Sequence, residues 1–415
     1  MSKGPLAISG AGIAGMTAAL YLARMGYKVE LFEAASQMQE VGAGLQLSAN
    51  AVRCLEQIGL KHDLAETAIA PQSIIMRAAR TGRTLAKVPL GKQAKQRFGA
   101  PYYVIHRADL QNLLKKAVEA TPDITLYLGC KIINADQSDA GVTLKFAPDA
   151  CLRGVDFAER TYQLLIAADG VWSALRTNTL ALPPAQFSGR VAYRTTIDAS
   201  NFSPRMLQNT GLWLGPQAHM VHYPLQQGRF LNIVAIAHED WQQVDIAAPS
   251  WAEPATLDQL LPHFSGWSAN ATDLLRLSSS WTRWALCHIK PGSGWCKGRI
   301  ALIGDAAHAM TPFMAQGAAM AIEDAAILAA NVSRFGAAPP ALASYASQRR
   351  PRAESVARQA LKNESVYHMR APASLARDTV LSFSSPAKLL EKFAWIFDWA
   401  PPPLADAHTA PQDLK

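Results

Sequence analysis

Residues 7 to 34, AISGAGIAGMTAALYLARMGYKVELFEA, restrict the fold of this chain more than any other stretch. An apolar run leads into Gly10-x-Gly12-x-x-Gly15, an alanine-rich helical pattern stops at Gly26, and a second apolar run closes on Glu33 and Ala34. Strand, tight turn, helix and strand in that order open a doubly wound parallel sheet. The first glycine bends the chain, the second lets backbone approach a pyrophosphate, and the third lets helix and strand pack closely. The unpaired N–H groups of the helix start then face the anion. Glu33 lies eighteen residues past Gly15. A carboxylate there accepts bonds from both hydroxyls of an adenosine ribose and repels a 2'-phosphate, so FAD or NAD fits better than NADP. Glycines that only end a strand and pack a helix are the plain alternative, which explains neither the second strand nor the acid.

A chain of 415 residues is long enough to bury about three quarters of the surface its unfolded form exposes, and two domains are expected. Hydrophobic residues make up 49% and charged residues 17%, an ordinary globular balance. The net charge of +8 raises the question of nucleic acid. Much of the excess sits at Arg349, Arg350, Arg352, Arg358 and Lys362, in a helical stretch that reads as a solvated face. No aromatic and basic stripe accompanies it, so no nucleic-acid partner is expected. The five cysteines, at 54, 130, 151, 287 and 296, have neither zinc spacing nor disulfide density, so no metal site is expected and a reducing, cytoplasmic setting is. No apolar run reaches the length of about 18 that spans a bilayer, and no membrane partner is expected. Trp395 and Trp399 read as sealing a helix against the body.

Along the chain, α/β character alternates with β character. A glycine-rich loop at Gly42-Ala43-Gly44 precedes a helix that ends before Gly59. Short strands with turns at Thr81-Gly82 and Leu90-Gly91 lie between about 69 and 97; His106 then opens an amphipathic helix and a strand follows near 124 to 127. Strands in a meander fill 130 to 162. An antiparallel sheet is expected from about Gly189 to Ala285, interrupted by a helix near Pro254 to Phe264. The expected division is a dinucleotide-binding α/β domain from 1–70, 100–180 and 286–370, and a β-rich domain from 71–99 and 181–285. A helical region at 371–400 and a flexible tail at 401–415 complete the chain.

Two further junctions repeat the logic of the first. In LIAADGVWSALR, Asp169 and Gly170 follow a strand and precede a helical pattern; in LIGDAAHAM, Gly304 and Asp305 do so. A carboxylate at Asp305 accepts bonds from ribityl hydroxyls, while the helix behind it offers its start to a phosphate or an electron-rich ring.

The fingerprint, the segment E-x-G-A-G-x-x-x-x-x-N at Glu40 to Asn50, HRADL at 106 to 110, Asp169-Gly170, and GDAAHAMTP with QGAAMAIEDA over 304 to 325 together resemble the FAD-dependent aromatic hydroxylases. The resemblance covers residues 5 to about 370 and is strongest to the salicylate, 3-hydroxybenzoate and 6-hydroxynicotinate branch, through YR at 193 to 194 and HYP at 222 to 224. It implies an α/β chain of the para-hydroxybenzoate hydroxylase-like fold, with a Rossmann-type FAD domain interleaved with a β-rich substrate domain and C-terminal helices. It implies tightly held, non-covalent FAD and transient NAD(P)H, as only one complete fingerprint exists. The implied reaction is hydroxylation by O2, through a flavin C4a-hydroperoxide, of a small hydroxylated aromatic or N-heteroaromatic ring, with or without a carboxylate. A monomer or homodimer is expected. Rival readings are an FAD protein that binds an aromatic ligand without turnover, and a quinone-type or decarboxylating hydroxylase of the same fold.

Among site residues, the resemblance places FAD on Gly10, Gly12, Ala14, Gly15, Glu33, Ala34, Gly44, Leu45, Arg107, Gln111, Asp169 and Asp305. Arg53 joins them near the phosphate, with Pro312, Gly317 and Ala318 beside the flavin ring. Family members acting on 3-hydroxybenzoate carry a glutamine where this chain has Pro312, which argues against that activity. His308 is expected to shape its loop. A strand through AHMVHYPL puts His219 and Tyr223 on one face and His222 on the other. His219 and Tyr223 are therefore the candidates for catalysis and substrate contact, with structural roles as the alternative. Arg194 is a candidate for a substrate carboxylate or for a salt bridge to an adjacent strand. Trp213, with Met206 and Met220, is expected to wall the substrate pocket. Gly42-Ala43-Gly44 is either a hinge that lets the flavin move or a rigid wall.

Overall fold

The structure, a computed structural model, describes residues 4–38, 44–150, 160–241 and 252–404. Five parallel strands form the first sheet, in the order Ile300–Leu302, Leu165–Ala167, Leu6–Ser9, Val29–Glu33 and Ile124–Leu128, with Cys296–Lys297 antiparallel at one edge. The inner strands are apolar without alternation because both faces are covered, one by helices and the other by the hairpin Ile132–Gln137 with Val142–Phe146, whose Phe146 ring lies 5.4 Å from Phe32: Leu6, Ala7, Ile8, Leu165, Ile166 and Ala167 are all solvent-free. The covering helices Ile13–Arg24 and Gly317–Phe335 pack on one another. Both are rich in alanine, whose small side chain allows that approach. Segments three hundred residues apart thus meet at one sheet edge.

The second sheet has eight strands, in the order Ala252–Thr256, Ser280–His288, Gln186–Asp198, Phe230–His238, Ala218–Leu225, Asn209–Gly215, Ser73–Ala78 and Thr84–Pro89. The early pair joins through a parallel contact of Asn209–Gly215 with Ser73–Ala78, so that Asn209 meets Ser73 and Leu214 meets Ala78. One face of this sheet carries its own core, with Tyr193, Trp213, Met220 and Leu231 against Phe264, Trp267 and Trp281. The other face turns toward the first sheet and the long helices. A small ladder between Gly44–Leu47 and Tyr103–His106 bridges the two bodies.

Several expectations change. Pro254 lies in a strand, and the helix starts only at Leu257, after a capping box in which the Gln259 amide donates to Thr256 Oγ1 at 3.4 Å. Gly91 opens a helix to Phe98 where a plain turn was expected. The arginine-rich stretch is solvated at Arg350, Arg358 and Lys362, yet Arg349 is only 1% exposed and Arg352 is half-buried, because Glu323 and Asp324 lie beneath them. Trp399 does seal, under the guanidinium groups of Arg349 and Arg352 at 5.6 and 5.5 Å, whereas Trp395 is exposed. The stretch expected to be a loose tail begins held: Gln57 Nε2 donates to the Pro402 carbonyl at 3.0 Å. Residues 405–415 lie outside the described residues, as do Cys151, Glu40, Gly42 and Ala43. No described helix is long and apolar enough to cross a membrane.

Candidate active site

The carboxyl ends of the first sheet open on a cleft of about 530 Å³, where doubly wound sheets bind their ligands. Seven of the expected cofactor residues line it: Gly10, Gly12, Glu33, Ala34, Arg107, Gln111 and Asp169. Gly12 caps the helix Ile13–Arg24 with no side-chain cap and no acid in the first turn, and the space where its Cβ would stand is open to 4 Å. That leaves an uncovered, positive helix end facing the cleft. Gly15 is required by packing, since a Cβ there would overlap the Gly10 carbonyl oxygen and lie 3.1 Å from its carbon. Ala14 sits against Gly304, whose own Cβ would be 2.9 Å from that of Ala14, and so joins the first junction to the third.

Glu33 is oriented by two backbone amides, Ala11 N donating to Oε2 at 2.8 Å and Ala35 N to Oε1 at 2.9 Å. Each oxygen keeps acceptor capacity for a ribose hydroxyl. Arg107 starts the helix Arg107–Glu119, and its buried Nε has no hydrogen-bond partner among the described residues. Such a group suits an anion. Asp305 begins the short helix Asp305–His308 and is exposed, with its carboxylate open to a ligand. This donor and acceptor set fits FAD: a carboxylate for the ribose, a helix start and a guanidinium for the diphosphate, and Asp305 for polyol hydroxyls.

Asp169, which lines the cleft, is also tied into its own turn. Its carboxylate accepts from Ser173 Oγ at 2.6 Å and from the Leu175 amide at 3.2 Å, so it closes its own turn. Burial raises its pKa, against the pull of those bonds. Arg53 is a correction. Its guanidinium donates to the backbone carbonyls of Phe98, Phe397 and Trp399, so it clamps the C-terminal region and does not line the cleft. The reason is that helix Ala49–Gln57 packs toward those segments, where three carbonyls compete for the cation.

Deeper in, the two sheets meet around polar and aromatic side chains. The Gly44 amide donates to Asn232 Oδ1 at 3.1 Å, and a Cβ on Gly44 would come within 2.7 Å of Tyr223 Oη and 2.9 Å of Cζ. Gly44 is glycine because the Tyr223 ring lies on it. Leu45, the next residue, is half-buried and pairs with Ile105. Tyr102 Oη donates to Gln46 Oε1, and Gln46 opposes the effect of burial on the Tyr223 hydroxyl. Burial lifts the Tyr102 and Tyr223 hydroxyls well above the ordinary phenol range and Tyr367 to about 12, so all three stay protonated.

His219, 2% exposed, lies 5.1 Å from the Phe313 ring and 5.5 Å from Tyr367. It thus stands beside the turn Pro312–Met314, which carries Pro312 and leads through left-handed Ala315 (φ 51°) to Gly317 and Ala318 at the uncapped start of helix Gly317–Phe335. Burial, aided by Arg190, pushes the His219 imidazole down to about 3. His222 is on the opposite face, against Gly211.

Arg194 is half-buried on the face turned toward this cluster, with its guanidinium 5.6 Å over the Trp284 ring. The alternative of a salt bridge to an adjacent strand is not what forms: no acid pairs with Arg194 among the described residues, and its Nε is buried without a partner. Burial lowers its pKa, with Tyr223 opposing and Arg107 adding to the shift. Trp213 is a correction. It pairs in register with Met220 and belongs to the core on the far face, beneath Phe264 and Trp267, with the Arg77 guanidinium 5.4 Å over its ring. Alternation puts 213 and 220 opposite the face of 219 and 223, so neither Trp213 nor Met220 walls the cluster, and Met206 packs with the same far-face core. Sequence reasoning missed Gln46, Tyr102, Tyr367 and His368. Only Tyr102, in the aromatic run PYYV, carried a local signal.

His308 Nε2 donates to Asp324 Oδ2 at 2.5 Å, and the same carboxylate accepts from the Gly304 amide at 3.0 Å. It therefore holds the third junction in place, the loop-shaping role expected of it.

Gly44→Ala is expected to leave FAD content unchanged and to lower kcat/KM about tenfold, because a displaced Tyr223 ring costs roughly 1–3 kcal/mol of packing. Unchanged turnover in the FAD-loaded variant would show that Tyr223 can move without consequence.

Comparison with known proteins extends this geometry. The FAD binding domain family matches residues 4–360. The chain is 32% identical over 394 residues to 3-hydroxybenzoate 6-hydroxylase 1 of Aquipseudomonas alcaligenes, covering 94% of this chain and 96% of that protein. It is 32% identical over 365 residues to 6-hydroxynicotinate 3-monooxygenase of Pseudomonas fluorescens, covering 86% and 91%. Among solved structures, a salicylate hydroxylase substrate complex superposes with a TM-score of 0.79 at 28% identity, covering 96% of each chain.

Proposed function

Since the chain belongs to the FAD-dependent aromatic hydroxylases of the FAD binding domain family, we propose that it hydroxylates a small hydroxylated aromatic or N-heteroaromatic carboxylic acid, using O2 and NAD(P)H. FAD, when bound, takes hydride from the nicotinamide and activates O2. Everything else falls to the protein. Glu33, the start of helix Ile13–Arg24, Arg107, Gln111 and Asp305 hold the cofactor, with Pro312, Gly317 and Ala318 against its ring. Arg194 receives the substrate carboxylate, and His219 and Tyr223 engage the ring hydroxyl. Tyr102, Phe313 and Tyr367 keep water out, so that activated oxygen reaches the ring. The segments of the first sheet form the cofactor body and those of the second the substrate body. Four described cysteines are free, in keeping with work in a reducing compartment, as a monomer or homodimer.

One observation carries the carboxylate: Arg194 is desolvated beside Tyr223, and no acid pairs with it among the described residues, an arrangement that costs free energy until an anion arrives. The three relatives point the same way, since hydroxybenzoate, hydroxynicotinate and salicylate are all acids. The test is NAD(P)H oxidation by FAD-loaded protein against hydroxybenzoates, hydroxypyridine carboxylates and their descarboxy phenols, scored for hydroxylated product. Acids are expected to give coupled product, and phenols slow, uncoupled oxidation. Equal coupling for a phenol and its acid would remove the carboxylate from the proposal.

A further inference from the structure

His219 does not act alone. Its Nδ1 lies 2.9 Å from Nε2 of His368, a residue at the end of helix Pro339–Tyr367 and 149 positions away in sequence. His368 is 7% exposed and is fixed in place: its carbonyl accepts from the Gln217 amide at 3.2 Å, and its amide donates to the Glu364 carbonyl at 3.0 Å. Two ring nitrogens at this distance share one hydrogen, and which ring owns it decides what His219 presents with its other nitrogen, Nε2.

Both rings are neutral. Burial, with Arg190 nearby, holds His219 at about 3; burial, with His219, Arg190, Arg377 and His238 around it, holds His368 at about 2. Each neutral ring carries a single N–H. If His219 were the donor, His368 would be protonated at Nδ1, an atom that is buried and has no hydrogen-bond partner among the described residues. A buried N–H without an acceptor is among the rarest defects in folded proteins. It would also place a positive hydrogen among cationic neighbours, including Arg377, which donates to the adjacent Tyr367 and Val366 carbonyls at 2.9 and 3.0 Å. If His368 is the donor, its Nδ1 is a lone pair, which those cations favour.

We infer that His368 donates its Nε2 hydrogen to Nδ1 of His219 and thereby fixes His219 as the Nε2–H tautomer, a hydrogen-bond donor toward a substrate oxygen and not a proton acceptor. His368 is a positioning residue. It makes no claim on the substrate itself, and the inference rests on the reading of His219 as a substrate contact. With His219 as donor, an ionised ring hydroxyl is stabilised by the N–H, and the site has a reason to bury two histidines that never become charged.

The tautomer can be read without turnover, in FAD-loaded protein at neutral pH, by long-range proton–nitrogen NMR with 15N-labelled histidine and assignment by single substitution. The expected spectrum shows His219 protonated at Nε2 and bare at Nδ1. A His219 protonated at Nδ1 overturns the inference. His368→Leu is expected to lose this tautomer preference, with KM raised about tenfold and kcat little changed, whereas His368→Gln, whose amide can donate from a similar place, restores the Nε2–H signal. A His368→Leu protein that keeps the wild-type His219 signal also overturns it; if that variant fails to fold, the wild-type spectrum still decides. Absence of hydroxylated product across the substrate panel would end the activity reading and leave the tautomer result standing.

Discussion

Arg349→Met is expected to yield protein that accumulates poorly, unfolds several degrees earlier and retains little FAD. Arg349 is buried between helices, its Nη1 2.5 Å from Glu323 Oε2 and its Nε 2.8 Å from Asp324 Oδ1. Both carboxylates are fully buried. Glu323 is also held by Arg352 at 2.7 Å and by Asn50 at 2.6 Å, and Asp324 by His308 at 2.5 Å and the Gly304 amide at 3.0 Å. Through Gln316, which donates to Ser48 Oγ at 2.9 Å, the same network reaches the turn that precedes helix Gly317–Phe335. Removing the central cation strands buried carboxylates at a cost of about 3–5 kcal/mol, a large part of the roughly 5–15 kcal/mol by which a domain is stable. The loss reaches the Gly304 junction and, through Ala14 packed on Gly304, the first glycine junction, so FAD retention should fall with stability.

Acid supplies an independent check. Burial alone would raise Asp324, but His308 and Arg349 outweigh it and the folded-state pKa lies below the ordinary one. A depressed carboxylate contributes stability that is fully present above its unfolded pKa, about 4, and is lost as pH falls through the folded value. Wild type should therefore lose more stability than Arg349→Met below about pH 4, and the gap between their denaturation midpoints should narrow. Adding Asp324→Asn and Glu323→Gln to Arg349→Met should recover part of the loss at pH 7. A triple variant no more stable than the single one would mean that packing, not stranded charge, sets the cost.

The same arginine shows where sequence stops being informative. Gly10-x-Gly12-x-x-Gly15 with Glu33 was legible because each residue answers a local need: a turn, a close approach, a strand end. The alternation in AHMVHYPL likewise put His219 and Tyr223 on one face, and that is how they stand. Alternation gives a face and not what the face meets. Trp213 reads as a pocket wall because an aromatic strand residue has two possible destinations, but its side of the sheet is covered by helices starting at Leu257 and Ala269. Arg349 looked solvated because its neighbours Arg350, Arg358 and Lys362 are; only the acids of a different helix decide otherwise. Arg53 likewise finds carbonyls from residues more than three hundred positions away, and His368 reaches His219 from 149 positions away. Short-range pattern carries no record of such meetings.

Arg194 is where chemistry and selectivity separate most cleanly. Arg194→Met is expected to lower kcat/KM for the acid substrate by roughly 30- to 5000-fold, since loss of one partner from a desolvated charge pair costs about 2–5 kcal/mol. Its methionine fills similar volume beside Trp284 without a charge to bury, so stability should hold or rise. The descarboxy phenol never made the ion pair, and its kcat/KM should change little, which shrinks the preference for acid over phenol by the same factor. Arg194→Lys should fall between, as an ammonium keeps the charge but cannot offer the two parallel donors that a guanidinium gives a carboxylate. The proximity of Arg107 supplies the rival explanation, that both cations serve the FAD diphosphate. That rival predicts a different loss: FAD content of Arg194→Met would fall, and acid and phenol would suffer alike. Full FAD occupancy with a loss confined to acids assigns Arg194 to the substrate; a uniform loss with depleted FAD assigns it to the cofactor and withdraws the carboxylate from the proposed function.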